Sequence, residues 1–185
     1  MSAKIAAQNN LNTVLLDDKS NLGGITIFQD NDSFKINNDN TNKWLEKEIE
    51  SLKSLKNLTI KTRSSLAAYH SYNYLLAKEN LTDHLSLSEK KNKIRQRLWK
   101  IRAKKVIIAT GAMERPLIFN NNDRPGIILS SSIKKYIDYY GVKCGQKISL
   151  FTNNDTAYET AISLIKSGVT INSVIDIRED RKSVV

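Results

Sequence analysis

The stretch that decides the fold is KISLFTNNDTAYETAISLIKSGVTINSVIDI, residues 147–177. It opens with an apolar strand over residues 147–152 and continues with a helix over residues 155–167 that ends before Gly168. A second apolar strand follows the glycine. Apolar strands joined by a helix pair in parallel and are covered by helices on both faces. The stretch therefore predicts a β–α–β unit of an α/β protein.

A similar order of elements occurs near the start of the chain. Residues 2–10 predict the end of a helix, and the short apolar strand over residues 14–16 runs into Asp17 and Asp18. An amphipathic helix over residues 44–55 follows, with Thr41 or Asn42 as the predicted N-cap and a polar loop before it. The chain is thus predicted to contain two Rossmann-like units.

Between the two units the apolar period changes to that of β-strands. Strands are predicted over residues 58–62, 65–69, 72–78 and 94–102, in antiparallel order, followed by an apolar strand over residues 105–109. The predicted fold class is α/β, a Rossmann-like two-dinucleotide-binding-domain fold with an antiparallel β-meander insert. Residues 1–125 would form an incomplete first domain carrying the insert at about 58–102, and residues 126–185 a truncated second unit.

Asp17 lies where such folds place the acid that accepts the ribose hydroxyls of a dinucleotide. The glycine-rich phosphate loop that normally precedes it is not found, since the twelve residues before Thr13 contain no glycine. We therefore expect Met1 to lie inside a β–α–β unit whose first strand and loop are missing. The alternative, an acid that only faces solvent, fits the local stretch equally well.

The turn after residue 152 departs from the dinucleotide fingerprint G-x-G-x-x-G/A. Its three positions hold Thr152, Asn154 and Ala157. Alanine suits close helix packing and asparagine tolerates a left-handed turn, but the Asn154 side chain would occupy the space of a pyrophosphate. The turn predicts a unit without ordinary dinucleotide binding. Asp176, at the end of the next strand, leaves that conclusion open.

Composition excludes several function classes. The net charge of +10 and isoelectric point of 9.6 come from scattered lysines, so we expect no nucleic-acid partner. No apolar run is long enough to cross a bilayer, which predicts no membrane partner. One cysteine and two histidines give no metal-ligand spacing, no disulfide framework and no catalytic triad, and they favour a cytoplasmic protein.

Two segments together carry a family resemblance. RQRLWKIRAKKVIIATGAMERPLIFNNNDRPGIIL (95–129) and YGVKCGQKISLFTNNDTAYETAISLIKSGV (140–169) closely resemble the α subunits of heterotetrameric sarcosine oxidases. The link ERP…F…NNDRPG and the turn FTNND.AY are the specific parts, and LLDDKSNLGG and YNYLLAKENLTDHL fit the same subunit. Related opine dehydrogenase, proline dehydrogenase and hydrogen cyanide synthase complexes are the close alternatives.

The resemblance implies a role in oxidising sarcosine, a small amine, to glycine. It implies NAD bound to this subunit, FMN at a subunit interface, FAD in a partner subunit, and partners of the β, γ and δ type. It assigns no catalytic residue to this chain. The candidate cofactor-binding residues that it and the strand-end patterns give are Asp17, Asp18, Gly23, Gly24, Thr110 and Gly111.

The resemblance also implies that this chain is an N-terminal fragment. The subunits it resembles continue beyond the second unit into a folate-binding domain. With the phosphate loop missing, we expect weak or no NAD binding by the chain alone. A different class of function, a non-catalytic module that only docks to partner subunits, is the alternative.

Overall fold

The computed structural model describes residues 1–28 and 35–178. These residues form two compact units, unit 1 over Met1–Gly111 and unit 2 from Ala112 onward. The sequence predicted a division after residue 125. Glu114 lies in unit 2, where its carboxylate accepts the backbone N–H groups of Ser130 and Ser131 at 3.2 and 2.7 Å.

Within its described residues, unit 1 holds two short 3-10 helices, Gly24–Phe28 and Ser71–Asn73, and ten α-helices and β-strands. In chain order they are α1 (Ser2–Gln8), β1 (Thr13–Leu16), β2 (Lys35–Ile36), β3 (Asp39–Asn40), α2 (Thr41–Lys53), β4 (Leu58–Lys61), β5 (Ser64–His70), β6 (Tyr74–Asn80), α3 (Leu87–Lys90) and β7 (Gln96–Arg102). The predicted polar loop before α2 lies partly outside the described residues. The part that is described contains β2 and β3, an antiparallel pair.

The parallel pair of unit 1 is formed by β1 and β4, with Thr13 opposite Leu58 and Leu16 opposite Lys61. The prediction that residues 58–62 belong to the antiparallel meander is therefore wrong. Helix α2 lies between the two strands, and a helical crossover returns the chain in the same direction. The helix is capped by Asn40, whose side chain accepts the Lys43 N–H at 2.9 Å, rather than by Thr41 or Asn42.

The antiparallel sheet of unit 1 has the order β5–β6–β7. Two of its strands start later than predicted, at Tyr74 instead of 72 and at Gln96 instead of 94. The first delay arises because Tyr72 and Asn73 take left-handed conformations, with φ of 60° and 54°, to turn the chain between β5 and β6. The meander itself is confirmed over its last three predicted strands.

A polar cluster around Glu79 joins β4 to the meander. The Glu79 carboxylate accepts the Trp99 indole N–H at 2.7 Å and lies 3.7 Å from the Lys61 ammonium and 3.7 Å from the Arg97 guanidinium. The Lys61 ammonium also lies 4.0 Å from the centroid of the Trp99 ring. Because the Glu79 and Lys61 side chains are only 14% and 18% exposed, the cluster is a partly desolvated connection between the two sheets.

The predicted strand over residues 105–109 is not found. These residues have no regular secondary structure, and Ile107 and Ile108 are each 68% exposed. A strand requires a neighbour for its backbone hydrogen bonds, and no described strand pairs with this segment.

Unit 2 contains α4 (Ser130–Asp138), β8 (Lys147–Thr152), α5 (Thr156–Lys166) and β9 (Thr170–Asp176) within its described residues. Strands β8 and β9 pair in parallel, which confirms the predicted β–α–β unit. The helices pack over the sheet around a core of Ile133, Ile137, Leu164 and Val169, with Ile148 and Ile171 against it.

Replacing Glu79 by alanine should lower the free energy of unfolding of unit 1 by about 1–3 kcal/mol, because Lys61 and Trp99 lose a charged partner. Both tryptophans, Trp44 and Trp99, lie in unit 1, so urea unfolding followed by tryptophan fluorescence measures the change. The control is Glu46→Ala, at an exposed position of α2. Equal unfolding midpoints for the two variants would contradict a joining role for Glu79.

Leu164→Ala should destabilise unit 2 by about 2–5 kcal/mol, since Leu164 is fully buried and its loss leaves a cavity. The neighbouring Ile165 is 59% exposed, so Ile165→Ala should cost less than about 0.5 kcal/mol. Hydrogen exchange of the β8 and β9 amides reports the stability of this unit. A comparable loss of amide protection in both variants would contradict the assignment of Leu164, rather than Ile165, to the core.

Candidate functional site

Asp17 follows β1 directly and is held by backbone hydrogen bonds to the neighbouring chain. Its N–H donates to the Lys61 carbonyl at 3.0 Å, and its carbonyl accepts the Ser64 N–H at 2.8 Å. One carboxylate oxygen, Oδ1, accepts the Lys19 N–H at 2.9 Å. The other, Oδ2, has no partner among the described residues, so the half-buried side chain presents a hydrogen-bond acceptor at the carboxyl end of a parallel strand.

Asp18 differs from Asp17 in exposure and pairing. Its side chain is 62% exposed, and its carboxylate forms an ion pair with Lys19 at 2.6 Å. A carboxylate that already has a cation beside it attracts neutral hydroxyl donors less strongly. Asp18 is therefore the weaker of the two candidates.

The two glycines of the following turn have different surroundings. A Cβ on Gly23, whose φ is +135°, would lie 2.7 Å from Leu45 Cδ2 and 2.8 Å from Ile27 Cγ1. Close packing against α2 thus explains the glycine at position 23. Gly24, with φ of +55°, has nothing within 4 Å of that position, so its backbone is accessible.

Thr110 and Gly111 lie in an exposed segment outside any strand. Gly111 has a φ of +71° and open space where a side chain would stand. A ligand could therefore approach its backbone closely. Among the described residues, no hydrogen bond joins this turn to the Asp17 turn.

The corresponding acid of unit 2, Asp176, is fully engaged. Its carboxylate accepts the Tyr158 hydroxyl at 3.0 Å and hydrogen bonds from the Arg178 backbone N–H and guanidinium, the shortest at 2.7 Å. Arg178 is also bound to Asp155 at 2.7 Å. Hydrogen bonds from Arg178 hold the pKa of the Asp176 carboxyl well below its usual range, while Asp176 raises the pKa of the Tyr158 hydroxyl.

The turn between β8 and α5 is also closed by its own atoms. The Thr152 hydroxyl accepts the Asn154 N–H at 3.1 Å and donates to the Asn154 carbonyl at 2.8 Å. The Asn154 side-chain oxygen accepts the Thr156 N–H at 3.0 Å. Two backbone donors of the turn, the Asn154 and Thr156 N–H groups, are therefore already used within it. Ala157 is buried under close helix packing, as predicted.

Sequence reasoning missed two groups of residues. The first is Arg178 with Tyr158, for which the signal was an arginine two residues after a strand-end acid. The second is a basic pocket lined by Thr82, Asp83, Lys90, Lys93 and Arg95. Of the run KKNKIR (90–95), the prediction assigned only Ile94 and Arg95 to a strand, whereas β7 begins at Gln96. The later start leaves Arg95 outside the strand, close to Lys90 at the end of α3 and Lys93 in the loop after it.

Two further site types are not found among residues 1–28 and 35–178. No group of three or more His, Cys, Asp or Glu residues is placed to hold a metal ion. None of the described helices combines the length and apolarity that a membrane span requires.

Comparison with known proteins identifies relatives along nearly the whole chain. Sarcosine oxidase subunit alpha of Corynebacterium sp. strain U-96 is 34% identical over 179 residues, which cover 97% of this chain. The chain matches part of the sarcosine oxidase α subunit. The α subunits of Corynebacterium sp. strain P-1 and Rhizobium meliloti strain 1021 are 34% and 30% identical over 177 residues. The predicted resemblance is confirmed. This chain spans 18% of the length of these α subunits.

A solved structure supports the fold. The crystal structure of L-proline dehydrogenase from P. horikoshii aligns with a TM-score of 0.68 at 23% identity, over 96% of this chain and 34% of that one. Together with the parallel and antiparallel sheets, this likeness confirms the predicted α/β fold class. No protein-family model matches the chain.

The Arg178→Gln variant should bring the pKa of the Asp176 carboxyl back toward its ordinary value, about 3.9, as measured by ¹³C NMR of its side-chain carbon. Because the folded-state pKa is lowered, the Arg178–Asp176 contact stabilises unit 2 fully above about pH 4 and loses this effect as the pH falls further. Asp155→Asn is the control, since it leaves the Arg178–Asp176 contact in place. An unchanged pKa in Arg178→Gln would contradict the contact.

Proposed function

We propose that this chain provides the nucleotide-binding part of an amine-oxidising subunit. Its relatives are sarcosine oxidase α subunits, and its fold is similar to part of a proline dehydrogenase structure. The reaction proposed for the whole complex is the oxidative demethylation of sarcosine to glycine. The chain contributes cofactor binding rather than a catalytic residue.

The difference between the two strand-end acids carries this proposal. Asp17 keeps one carboxylate oxygen without a partner in the described part of the chain. Both carboxylate oxygens of Asp176 in unit 2, by contrast, accept hydrogen bonds from Arg178 or Tyr158. Two vicinal ribose hydroxyls need a carboxylate that can still accept hydrogen bonds. Asp17 satisfies this requirement, and Asp176 satisfies it only after Arg178 and Tyr158 have moved away.

The cofactor proposed for this site is NAD. Asp17 would accept the ribose hydroxyls, and the accessible backbone at Gly24, Thr110 and Gly111 would let the dinucleotide approach. Asp18 would add negative charge beside the ribose, and Gly23 would keep the turn packed against α2. When bound, NAD supplies a nicotinamide ring that can exchange a hydride. Binding and orienting the nucleotide is what the residues of this chain do.

The remaining partners follow from the resemblance to α subunits. We propose association with subunits of the β, γ and δ type, FMN at a subunit interface, FAD in a partner subunit, and a small amine as substrate. Cys144 is an exposed free thiol, which supports a reducing, cytoplasmic location.

A docking role for unit 2 is the second candidate. Its turn and strand-end acid are closed by internal hydrogen bonds, and α5 leaves Ile162 and Ile165 55% and 59% exposed. An apolar helix face beside a closed nucleotide site favours contact with another protein over a cofactor. Under this alternative, unit 2 would bind a partner subunit and unit 1 would bind no nucleotide.

Substitution of the two acids tests the proposal. Saturation-transfer NMR with NAD and ADP-ribose detects weak binding by the intact chain. Asp17→Asn should weaken that binding about tenfold, because an acceptor for the ribose hydroxyls is replaced by an amide donor. The asparagine keeps the Oδ1 acceptor for the Lys19 N–H, so the turn is retained.

The matched control is Asp176→Asn, which should leave nucleotide binding unchanged. The reverse pattern, with binding lost in Asp176→Asn and kept in Asp17→Asn, would move the site to unit 2. Absence of any saturation transfer in the unsubstituted chain would favour the docking alternative.

A further inference from the structure

The segment between β6 and β7 borders an open pocket of about 470 Å³ in unit 1. The pocket is lined by polar and charged residues, namely Thr82, Asp83, Lys90, Lys93 and Arg95. None of them belongs to the proposed nucleotide site. The pocket is a separate feature of the meander.

The walls of the pocket are fixed by hydrogen bonds. The N–H groups of Leu81 and Thr82 donate to the Arg95 carbonyl at 3.0 and 3.3 Å, and the Thr82 side chain is buried. On the opposite side, the Lys90 ammonium donates to the Asp83 carbonyl at 3.1 Å. These hydrogen bonds hold the backbone of the loop before any ligand arrives, which lowers the ordering cost of that backbone on binding.

The charges in the pocket do not balance. The Asp83 carboxylate is paired with Arg95 at 2.6 Å and accepts a hydrogen bond from Gln96 at 3.1 Å. The Lys90 ammonium donates to the Asp83 carbonyl, and no hydrogen bond or ion pair joins the Lys93 side chain to a described residue. The other carboxylate of the loop, Glu89, is held by the Ser86 N–H and hydroxyl. The lining thus has three cations, Lys90, Lys93 and Arg95, and one carboxylate, Asp83, which leaves a net charge of +2 on this surface.

We propose that this pocket binds the dianionic phosphate group of a small phosphorylated molecule. A phosphate monoester carries about −1.5 to −2 charges at neutral pH and three strong acceptor oxygens. These match the net positive charge of the pocket and the donor hydrogens of its two ammonium groups. Arg95 contributes through its Nη atoms, because its Nε is used by Asp83.

The position of the pocket in the fold supports a ligand-facing role. Asn80, at the end of β6, donates its N–H to the Arg63 carbonyl at 2.9 Å, and the Arg63 N–H donates to the Lys19 carbonyl at 2.8 Å. The pocket loop and the Asp17–Lys19 turn therefore leave the same end of unit 1. The phosphate site does not depend on the proposed NAD site, since it shares no residue with it.

Amide NMR titration of the full chain tests the proposal. The probes are inorganic phosphate, AMP and adenosine, at an ionic strength of about 0.15 M. Phosphate and AMP should shift the amides of residues 82–95 in a saturable manner, whereas adenosine should not. Equal affinity for phosphate and AMP would identify the phosphate group alone as the ligand, and tighter AMP binding would identify a nucleotide.

Substitutions localise the binding. Lys93→Gln should weaken phosphate binding about tenfold without affecting the fold, because the Lys93 side chain has no hydrogen bond or ion pair with a described residue. Lys100→Gln, on the exposed face of β7, removes the same charge outside the pocket and should leave the affinity unchanged.

Three results would overturn the proposal. The first is the absence of a saturable shift with phosphate or AMP, and the second is an equal loss of affinity in Lys93→Gln and Lys100→Gln. The third is an oligonucleotide that shifts the β7 amides as strongly as those of the loop, since that pattern indicates a diffuse basic surface.

Discussion

The architecture of unit 1 depends on the carboxylate of Glu79. It is the one acceptor, in the described part of the unit, shared by Lys61 of the parallel pair and by Arg97 and Trp99 of the meander. Without it, Lys61 and Arg97 would lie beside the half-buried Trp99 indole with no carboxylate to balance their charges. The connection fixes the end of β4, and the backbone around residue 61 in turn holds Asp17 through the Lys61 carbonyl. Sheet assembly and the position of the candidate site are therefore coupled.

The two Rossmann-like units differ in the hydrogen bonding of the aspartate at the end of their parallel strand. Each has a parallel strand that ends in an aspartate. In unit 1 the acid retains an acceptor oxygen, whereas in unit 2 Arg178 and Tyr158 saturate it, and the Thr152–Asn154 turn uses its own donors. A shared backbone arrangement thus carries an acid with an available acceptor oxygen in one unit and a self-contained hydrogen-bonded cluster in the other. Fold likeness alone does not distinguish them.

Sequence patterns predicted where helices and strands lie more accurately than which strands pair with one another. Helices α2 and α5 and the parallel β8–β9 pair were predicted, because the apolar period of a helix or strand is a local property. The assignment of residues 58–62 to the meander was wrong because the direction of pairing depends on the segment that connects two strands. Here helix α2 lies between β1 and β4, and these strands pair in parallel. The apolar run 105–109 failed for a related reason, since composition cannot supply a strand with a hydrogen-bonding neighbour.

The sequence by itself determined the α/β class, the relationship to sarcosine oxidase α subunits and the position of Asp17 after a strand, because these are written in contiguous residues. Only the tertiary structure decided which acid keeps an acceptor, that Gly23 serves packing against Leu45, and that Lys90, Lys93 and Arg95 line one pocket. Each of these depends on contacts between distant segments or on the way a loop folds back. Hydrogen-bond occupancy and uncompensated charge are properties of such contacts, and a linear pattern does not specify them.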